Sequence, residues 1–291
     1  MPEQQRERAQ AQAQAQADGQ GQGRPRAPWA AEAGVFLAVA LVAAGACGAL
    51  QPATGIPPEV VQLTQLGPAV AVAAVALLWP GRIRHRLAGT LPARERVGAA
   101  AERRAALLLT PVLITALCVG GGLLTSGSLP VTAPRAFTHP VPLVVAAQFL
   151  GACAEEIGWR CHLQPLLRTR FGPVTASALV GVVWGLWHVP VFAQEPAFAA
   201  GFLLATTAMS VVLGLALEGV RSNRLLLAGS FHTLINLGML YVTDETAAAT
   251  APMLILGAAS LAAALAWIAT ARRAPHATPD KIIVTTAPGA R

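Results

Sequence analysis

Six side chains capable of acid–base chemistry or strong hydrogen bonding lie inside otherwise apolar segments of this 291-residue chain. They fall in the stretches "AEEIGWR", "WGLWH" and "HTLIN", and they are Glu155, Glu156, Arg160, His188, His232 and Asn236. Placing an acidic or basic residue at the centre of a membrane helix costs roughly 2.5–3.5 kcal/mol. Residues kept at such a cost are expected to pair with one another or to serve a function.

The spacing of the charged residues in the first stretch predicts one ion pair and one carboxylate outside it. Glu156 and Arg160 are four residues apart with the acid first, so they share a helix face and can pair. Glu155 points about 100° away around the same helix. The same arginine therefore cannot easily neutralise Glu155.

The other two stretches add hydrogen-bonding groups on two further helices. His232 and Asn236 are also four residues apart and project from one helix face. His188 stands two residues before Pro190, near where its helix should end or kink. The three helices can thus direct polar groups toward one interior point.

These residue types are suited to the hydrolysis of a peptide bond by either of two mechanisms. A carboxylate and an imidazole can activate water, while a second imidazole and a carboxamide donate to the developing oxyanion. The same glutamate and two histidines also match the ligand set of a catalytic zinc ion. The helical zinc motif His-Glu-x-x-His and the Gly-x-Ser-x-Gly elbow are both absent from the sequence. The pattern alone leaves both mechanisms open.

The composition predicts an all-α, polytopic membrane protein. Hydrophobic residues make up 54% of the chain and charged residues 12%, against roughly 25% charged residues in soluble domains. Apolar runs of about 20 residues, enough to cross a bilayer, predict a bundle of eight transmembrane helices. The predicted spans are 31–50, 60–79, 105–124, 143–167, 173–193, 198–217, 225–242 and 250–270.

The positions of the basic residues predict the orientation in a cytoplasmic (cell) membrane. Every Lys and Arg except Arg135 and Arg160 falls on the side of the amino terminus, which places both termini in the cytoplasm. Residues 1–28 and 272–291 are predicted to be disordered cytoplasmic tails flanking a transmembrane domain at 29–271. The arginines lie between apolar runs rather than on one basic face, which argues against nucleic acid as a partner.

Counting along the helices predicts the depth of the polar groups. At 1.5 Å per residue, Glu155 and His188 lie about 18 and 22 Å from the cytoplasmic face, and His232 about 12 Å. We expect a polar cavity that opens toward the cytoplasmic half of the bilayer.

The three stretches resemble the motifs of the CPBP intramembrane proteases, also called the CAAX protease and bacteriocin-processing, or Abi, family. "EEIGWR" fits the family's Glu-Glu-x-x-x-Arg motif, "WGLWH" lies where the family has an aromatic-x-x-x-His motif, and "HTLIN" fits His-x-x-x-Asn. Their order and their placement in the fourth, fifth and seventh predicted spans also agree. The resemblance covers roughly residues 143–240.

The resemblance implies a role for each residue of the set. Glu155 and His188 would activate water. His232 and Asn236 would stabilise the oxyanion, and Glu156 and Arg160 would brace the site. Such proteins carry the label metalloprotease, which implies one divalent metal such as zinc on Glu155, His188 and His232. A metal-free mechanism has also been proposed for them. The chain departs from the pattern at Trp184, where Phe is usual, and at Cys161, where a small residue is usual.

Together these features predict an intramembrane endopeptidase that cleaves a membrane-associated protein or peptide, including a CAAX-type or prenylated one, within the lipid bilayer. One alternative is a catalytically silent scaffold or immunity protein of the same fold. Another is a proton-coupled transporter that uses Glu155 and the histidines as a relay. The sequence shows no internal repeat, which counts against the transporter.

Overall fold

The computed structural model describes residues 29–58, 60–87, 89–91, 100–127, 139–220, 222–242 and 250–273. The regular secondary structure in these ranges is helical, which confirms the all-α class. The predicted tail 1–28 lies outside the described residues, as does 274–291, whereas Arg272 and Arg273 end the last helix. The helices are α1 (Trp29–Thr54), α2 (Gly67–Leu78), α3 (Pro80–Arg86), α4 (Ala100–Ser126), α5 (Val141–Arg168), α6 (Pro173–Trp187), α7 (Pro196–Ala216), α8 (Arg224–Val242) and α9 (Thr250–Arg273).

Helix length and composition indicate an integral membrane protein. Five helices are long and apolar enough to cross a bilayer, namely α1, α4, α5, α7 and α9. The segment Leu63–Leu78 and helix α6 are shorter apolar helices. Each of the eight predicted spans overlaps one of these helices or α8. The number of membrane crossings stays a prediction.

Prolines account for two of the differences between the helices and the predicted spans. Helix α6 ends at Trp187 rather than at residue 193, and Val189–Ala193 form a short 3-10 helix that contains Pro190. The short helix α3, which was not predicted, follows α2 because Trp79 leaves the helical conformation before Pro80. Proline disfavours the α conformation in the residue that precedes it, so a new helix begins at the proline.

Helix α7 forms the centre of the bundle and packs against α6 and α9 through small residues. A Cβ atom on Gly181 of α6 would lie 2.6 Å from the Thr207 Cα atom and 2.7 Å from the Ser210 Cβ atom. The carbonyl oxygen of Gly201 lies 2.8 Å from the position that a Cβ atom would occupy on Gly257 of α9. Close backbone approach between membrane helices requires such small residues, because apolar burial does not by itself distinguish helix contacts from lipid contacts.

One end of the bundle, here named the arginine end, gathers most of the described arginines and one set of the connections between helices. Glu32 of α1 is fully buried and accepts a hydrogen bond of 2.9 Å from Arg86 Nη2. The backbone N–H of Arg224 donates to the carbonyl of Gly89, and Arg103 donates to the carbonyl of Glu218. Ten of the eleven arginines among the described residues lie at this end: Arg82, Arg84, Arg86, Arg103, Arg104, Arg168, Arg170, Arg224, Arg272 and Arg273.

Replacing Gly181 by Ala should loosen the contact between α6 and α7. The added methyl group overlaps the α7 backbone, and overpacking of this kind costs about 1–3 kcal/mol. We therefore expect a lower melting temperature for the purified protein in detergent. The control is Gly120→Ala on the exposed side of α4, where a Cβ atom meets nothing within 4 Å. Equal melting temperatures for the two variants would show that α6 and α7 do not approach this closely.

Candidate active site

A cavity of about 700 Å³ brings together four of the six candidate residues. Its lining includes Glu155 from α5, His188 from the end of α6, and His232 and Asn236 from α8. Glu156 and Arg160 are not part of the lining and lie buried behind it. The convergence expected from the sequence is therefore present for the groups predicted to act on water and on the oxyanion.

Two tryptophans hold the carboxylate of Glu155. The side chain is 1% exposed, and its Oε2 atom accepts hydrogen bonds from Trp184 Nε1 at 2.8 Å and from Trp159 Nε1 at 3.3 Å. A buried carboxylate is costly unless hydrogen-bond donors replace the water that it has lost. Both tryptophans stabilise the carboxylate through their indole N–H groups.

Glu156 forms the centre of a buried charge network that connects α5 and α8. Its Oε2 atom lies 3.2 Å from Arg160 Nε, which confirms the predicted ion pair, and its Oε1 atom lies 2.9 Å from His232 Nδ1. The Arg160 guanidinium also lies over the Trp184 ring, 4.6 Å from its centroid, in cation–π contact. The link from Glu156 to His232 was not predicted, because no sequence spacing relates residues on different helices.

A π-helical turn at Trp159–Leu163 interrupts α5 directly after the two glutamates. All five of its residues are buried. A π turn holds one more residue than an α turn, so it moves the following side chains around the helix. Trp159 and Arg160 open this turn and lie inside the protein, next to the glutamates.

His188 is oriented by the helix that it terminates. Its Nδ1 atom lies 2.8 Å from the carbonyl oxygen of Trp184. A carbonyl only accepts hydrogen bonds, so Nδ1 carries the hydrogen and Nε2 of the neutral ring keeps a free lone pair. Trp184 thus contacts Glu155 through its ring and His188 through its backbone.

Two buried glutamines belong to the site and were not among the candidates. Asn236 Nδ2 donates to Gln148 Oε1 at 3.0 Å, and Gln65 lines the same cavity. Both glutamines are 6% exposed. Gln148 precedes Glu155 by seven residues and so shares its helix face, a signal that the sequence did contain. Gln65 lies in a 3-10 turn whose position depends on tertiary packing.

The donor atoms of the described residues do not form a three-ligand metal site. No group of three or more His, Cys, Asp or Glu side chains in this part of the chain is arranged to hold a metal ion. The Nδ1 atom of His232 bonds to Glu156, and Oε2 of Glu155 accepts from the two indoles. The zinc ligand set Glu155, His188 and His232 stays a prediction that this arrangement does not support.

The cavity lies toward the bundle end opposite the arginine end. Its exposed rim residues include Pro58 in the connection after α1, and Val189, Pro190 and Ala193 in the connection after α6. The expectation of an opening on the side of the arginines is therefore wrong. Counting residues along the helix placed Glu155 near the middle of the bilayer. It could not show on which side of Glu155 the helices separate.

Comparison with known proteins places the motif-bearing region in a family. Residues 137–238 match the family described as type II CAAX prenyl endopeptidase Rce1-like. This match agrees with the resemblance of the three motifs to the CPBP proteases, and residues 137–238 are here called the CPBP segment. The CPBP segment contains α5, α6, α7 and most of α8, and thus every residue of the candidate set.

Two curated relatives show how far along the chain the similarity extends. CAAX prenyl protease 2 of Methanococcus maripaludis is 32% identical over 126 residues, which cover 38% of this chain and 46% of the relative. Lysostaphin resistance protein A of Staphylococcus aureus is 22% identical over 222 residues, which cover 75% of this chain and 51% of the relative. The chain thus spans about half the length of the curated relatives that it matches.

Replacing Trp184 by Phe tests whether the indole N–H group positions Glu155. The variant keeps an aromatic ring over Arg160 but loses the shorter of the two hydrogen bonds to the carboxylate. A hydrogen bond to a charged group contributes about 1.5–3 kcal/mol, and Trp159 remains, so we expect a drop in peptide cleavage of roughly tenfold.

The matched control for this prediction is Trp187→Phe. The Trp187 indole nitrogen has no hydrogen-bond partner among the described residues, so the control should lose less cleavage activity. Both variants should accumulate in the membrane to the level of the unaltered protein. Equal losses in the two variants would show that the N–H group of Trp184 does not matter.

Proposed function

We propose that the chain is a CPBP-type intramembrane endopeptidase that hydrolyses a peptide bond of a membrane-associated protein. The observation that carries this proposal is the buried carboxylate of Glu155 in the wall of a cavity that His188, His232 and Asn236 also line. The curated relative named CAAX prenyl protease 2 supports a protease assignment. A CAAX-type or prenylated substrate stays a prediction of the resemblance alone.

In the proposed reaction, Glu155 and His188 activate a water molecule held between them. Nε2 of His188 or a carboxylate oxygen of Glu155 takes one proton from the water, and the water oxygen forms a bond to the carbonyl carbon of the substrate. The carbon–nitrogen bond then breaks, and the abstracted proton passes to the leaving amine. The products are a carboxylic acid and an amine, so one water molecule is consumed for each bond cleaved.

His232 and Asn236 are proposed to stabilise the oxyanion of the tetrahedral intermediate. In the imidazolium form His232 donates through both ring nitrogens, with Nδ1 to Glu156 and Nε2 toward the cavity. Asn236 uses one amide N–H group on Gln148 and keeps a second N–H group for the substrate. Preorganised donors of this kind each contribute on the order of 2.7–4 kcal/mol to the lowering of the barrier.

The proposed membrane arrangement has eight crossings with both termini in the cytoplasm. Five long apolar helices, the shorter α6, the segment Leu63–Leu78 and α8 supply the eight. The basic residues at the arginine end support a cytoplasmic location for that end. A cell membrane with this orientation is the location that we propose.

A catalytically silent membrane protein of the same fold is the second candidate. It is favoured by the similarity to lysostaphin resistance protein A, which covers 75% of this chain, twice the share covered by the protease relative. Such a protein would bind a membrane peptide in the cavity without cutting it. Substitution of Glu155 separates the two candidates, because binding alone does not require a proton acceptor.

Replacing Glu155 by Gln should abolish cleavage while the protein accumulates normally. The amide keeps the shape of the side chain and can still accept the indole hydrogen bonds, but it cannot take a proton from water. We expect the cleavage rate of apolar fluorogenic peptides in detergent to fall by at least about 10²-fold.

The control for this prediction is Glu102→Gln, which changes an exposed glutamate in the first turn of α4. It should cleave at the unaltered rate. Unchanged cleavage by the Glu155→Gln variant would disprove the catalytic assignment. Retained biological function without any cleavage would favour the silent protein.

Metal removal tests the alternative mechanism directly. Because the described donor atoms form no three-ligand group, we expect cleavage to persist after dialysis against a chelator. Elemental analysis of the purified protein should find zinc and other divalent metals well below one ion per chain. Cleavage that is lost on dialysis and restored by added zinc would instead favour the metal-dependent mechanism.

A further inference from the structure

The mouth of the cavity lies among the helix connections at one end of the bundle. The residues 55–66 join α1 to α2, and residues 188–195 join α6 to α7. Pro58, Gln62 and Thr64 from the first connection and Val189 and Ala193 from the second all line the cavity. These residues form a mouth of the cavity between the two connections.

The arginine end lies on the other side of the catalytic residues. Along α5, the cavity-lining residues Gln148 and Glu155 come first, and Arg160 and Arg168 follow toward the arginine end. Along α8 the order is reversed, with Arg224 first and then His232 and Asn236 in the cavity. The two antiparallel helices agree, so the mouth and the arginines occupy opposite ends of the bundle.

The distribution of charge assigns these two ends to the two sides of the membrane. Ten of the eleven described arginines lie at the arginine end, and the eleventh, Arg160, is buried in the charge network. Among the described residues the mouth end carries neither lysine nor arginine. Basic residues near the ends of membrane helices are retained on the cytoplasmic side, so the mouth faces away from the cytoplasm.

The chemistry of the lining restricts what can occupy the cavity. Its walls are largely apolar, and Glu155 is its one formally charged residue among those that the structure describes. Neither lysine nor arginine lines it, so a carboxylate on the substrate would meet no cationic partner other than a protonated histidine. A charged side chain of either sign would lose its hydration without recovering it, at a cost of several kcal/mol. An uncharged, apolar stretch of peptide fits the lining.

We infer that the substrate is an uncharged, apolar peptide segment that reaches the active site from the non-cytoplasmic face of the membrane. The inference that the bound peptide is a substrate rests on the proposed function. The position of the mouth can be tested without any cleavage. It distinguishes this chain from an enzyme that trims proteins anchored on the cytoplasmic face.

Cysteine labelling of the full-length protein tests the position of the mouth. In a background where the two half-buried cysteines, Cys47 and Cys153, are serine, one variant carries Ala193→Cys at the rim of the mouth. The matched variant carries Thr169→Cys, an exposed position at the arginine end, in the lining of a smaller cavity that Arg160 and Arg168 also line. Spheroplasts are treated with a membrane-impermeant maleimide before and after they are opened.

We expect Ala193→Cys to react in sealed spheroplasts and Thr169→Cys to react only after they are opened. Labelling of Thr169→Cys alone in sealed spheroplasts would overturn the inference, as would protection of Ala193→Cys until opening. Neither result depends on catalysis, so this arm stands even where the proposed function fails.

A pair of reporters tests the substrate itself. Each reporter carries the same apolar stretch of about ten residues next to a membrane anchor, displayed on the non-cytoplasmic face in one and on the cytoplasmic face in the other. In cells we expect cleavage of the first reporter at a rate at least about tenfold above the second. A third reporter, with lysine and aspartate inserted into the stretch on the non-cytoplasmic face, should be cleaved at least about tenfold more slowly than the first.

The detergent-solubilised protein separates the two hypotheses. Without a membrane both apolar reporters are accessible, so both should be cleaved if the proposed function is right. Cleavage of neither reporter in detergent would refute the endopeptidase. Cleavage of both in detergent, with only the cytoplasmic reporter cleaved in cells, would refute the inference about the face while keeping the endopeptidase.

Discussion

The burial of two adjacent carboxylates in an apolar helix is the constraint on which the site depends. Glu155 is 1% exposed and Glu156 is fully buried, so neither can rely on water. Glu156 is stabilised by charge, through Arg160 on its own helix and His232 on α8. Glu155 is stabilised by two neutral indole N–H donors instead. The two glutamates thereby differ: Glu156 is paired with two basic side chains and is suited to bracing, whereas Glu155 remains an acceptor toward the cavity.

Trp184 contacts four of the six candidate residues. Its indole donates to Glu155, its ring lies under the Arg160 guanidinium and beside the His232 ring, and its carbonyl accepts from His188. The phenylalanine that is usual at this motif position could supply the ring and the carbonyl, but not the N–H group. The substitution of Trp for Phe therefore adds a hydrogen bond to the proposed proton acceptor. We regard it as a functional difference rather than a neutral exchange of aromatic rings.

The charge network also divides the interior into two compartments of different character. The larger cavity on the side of Glu155 is mostly apolar, whereas a smaller cavity of about 250 Å³ on the other side is lined by Arg160, Arg168, Arg224 and Glu218. A peptide entering from the mouth meets Glu155 and the histidines before it could reach any arginine. The side from which a peptide reaches the reactive groups thus depends on which compartment holds them. The positions of the arginines alone do not reveal that compartment.

The sequence by itself determined the all-α class, the approximate helix positions, the Glu156–Arg160 ion pair and the segments that carry the polar groups. These features follow from local spacing and from the cost of placing charge in an apolar run, both of which can be read along one chain. Only the tertiary structure decided the bond between Glu156 and His232, the hydrogen bonds of Trp159 and Trp184 to Glu155, the inclusion of Gln65 and the end at which the cavity opens. Each of these depends on how separate helices approach and where they diverge, and the burial that selects such contacts arises only once the helices have packed together.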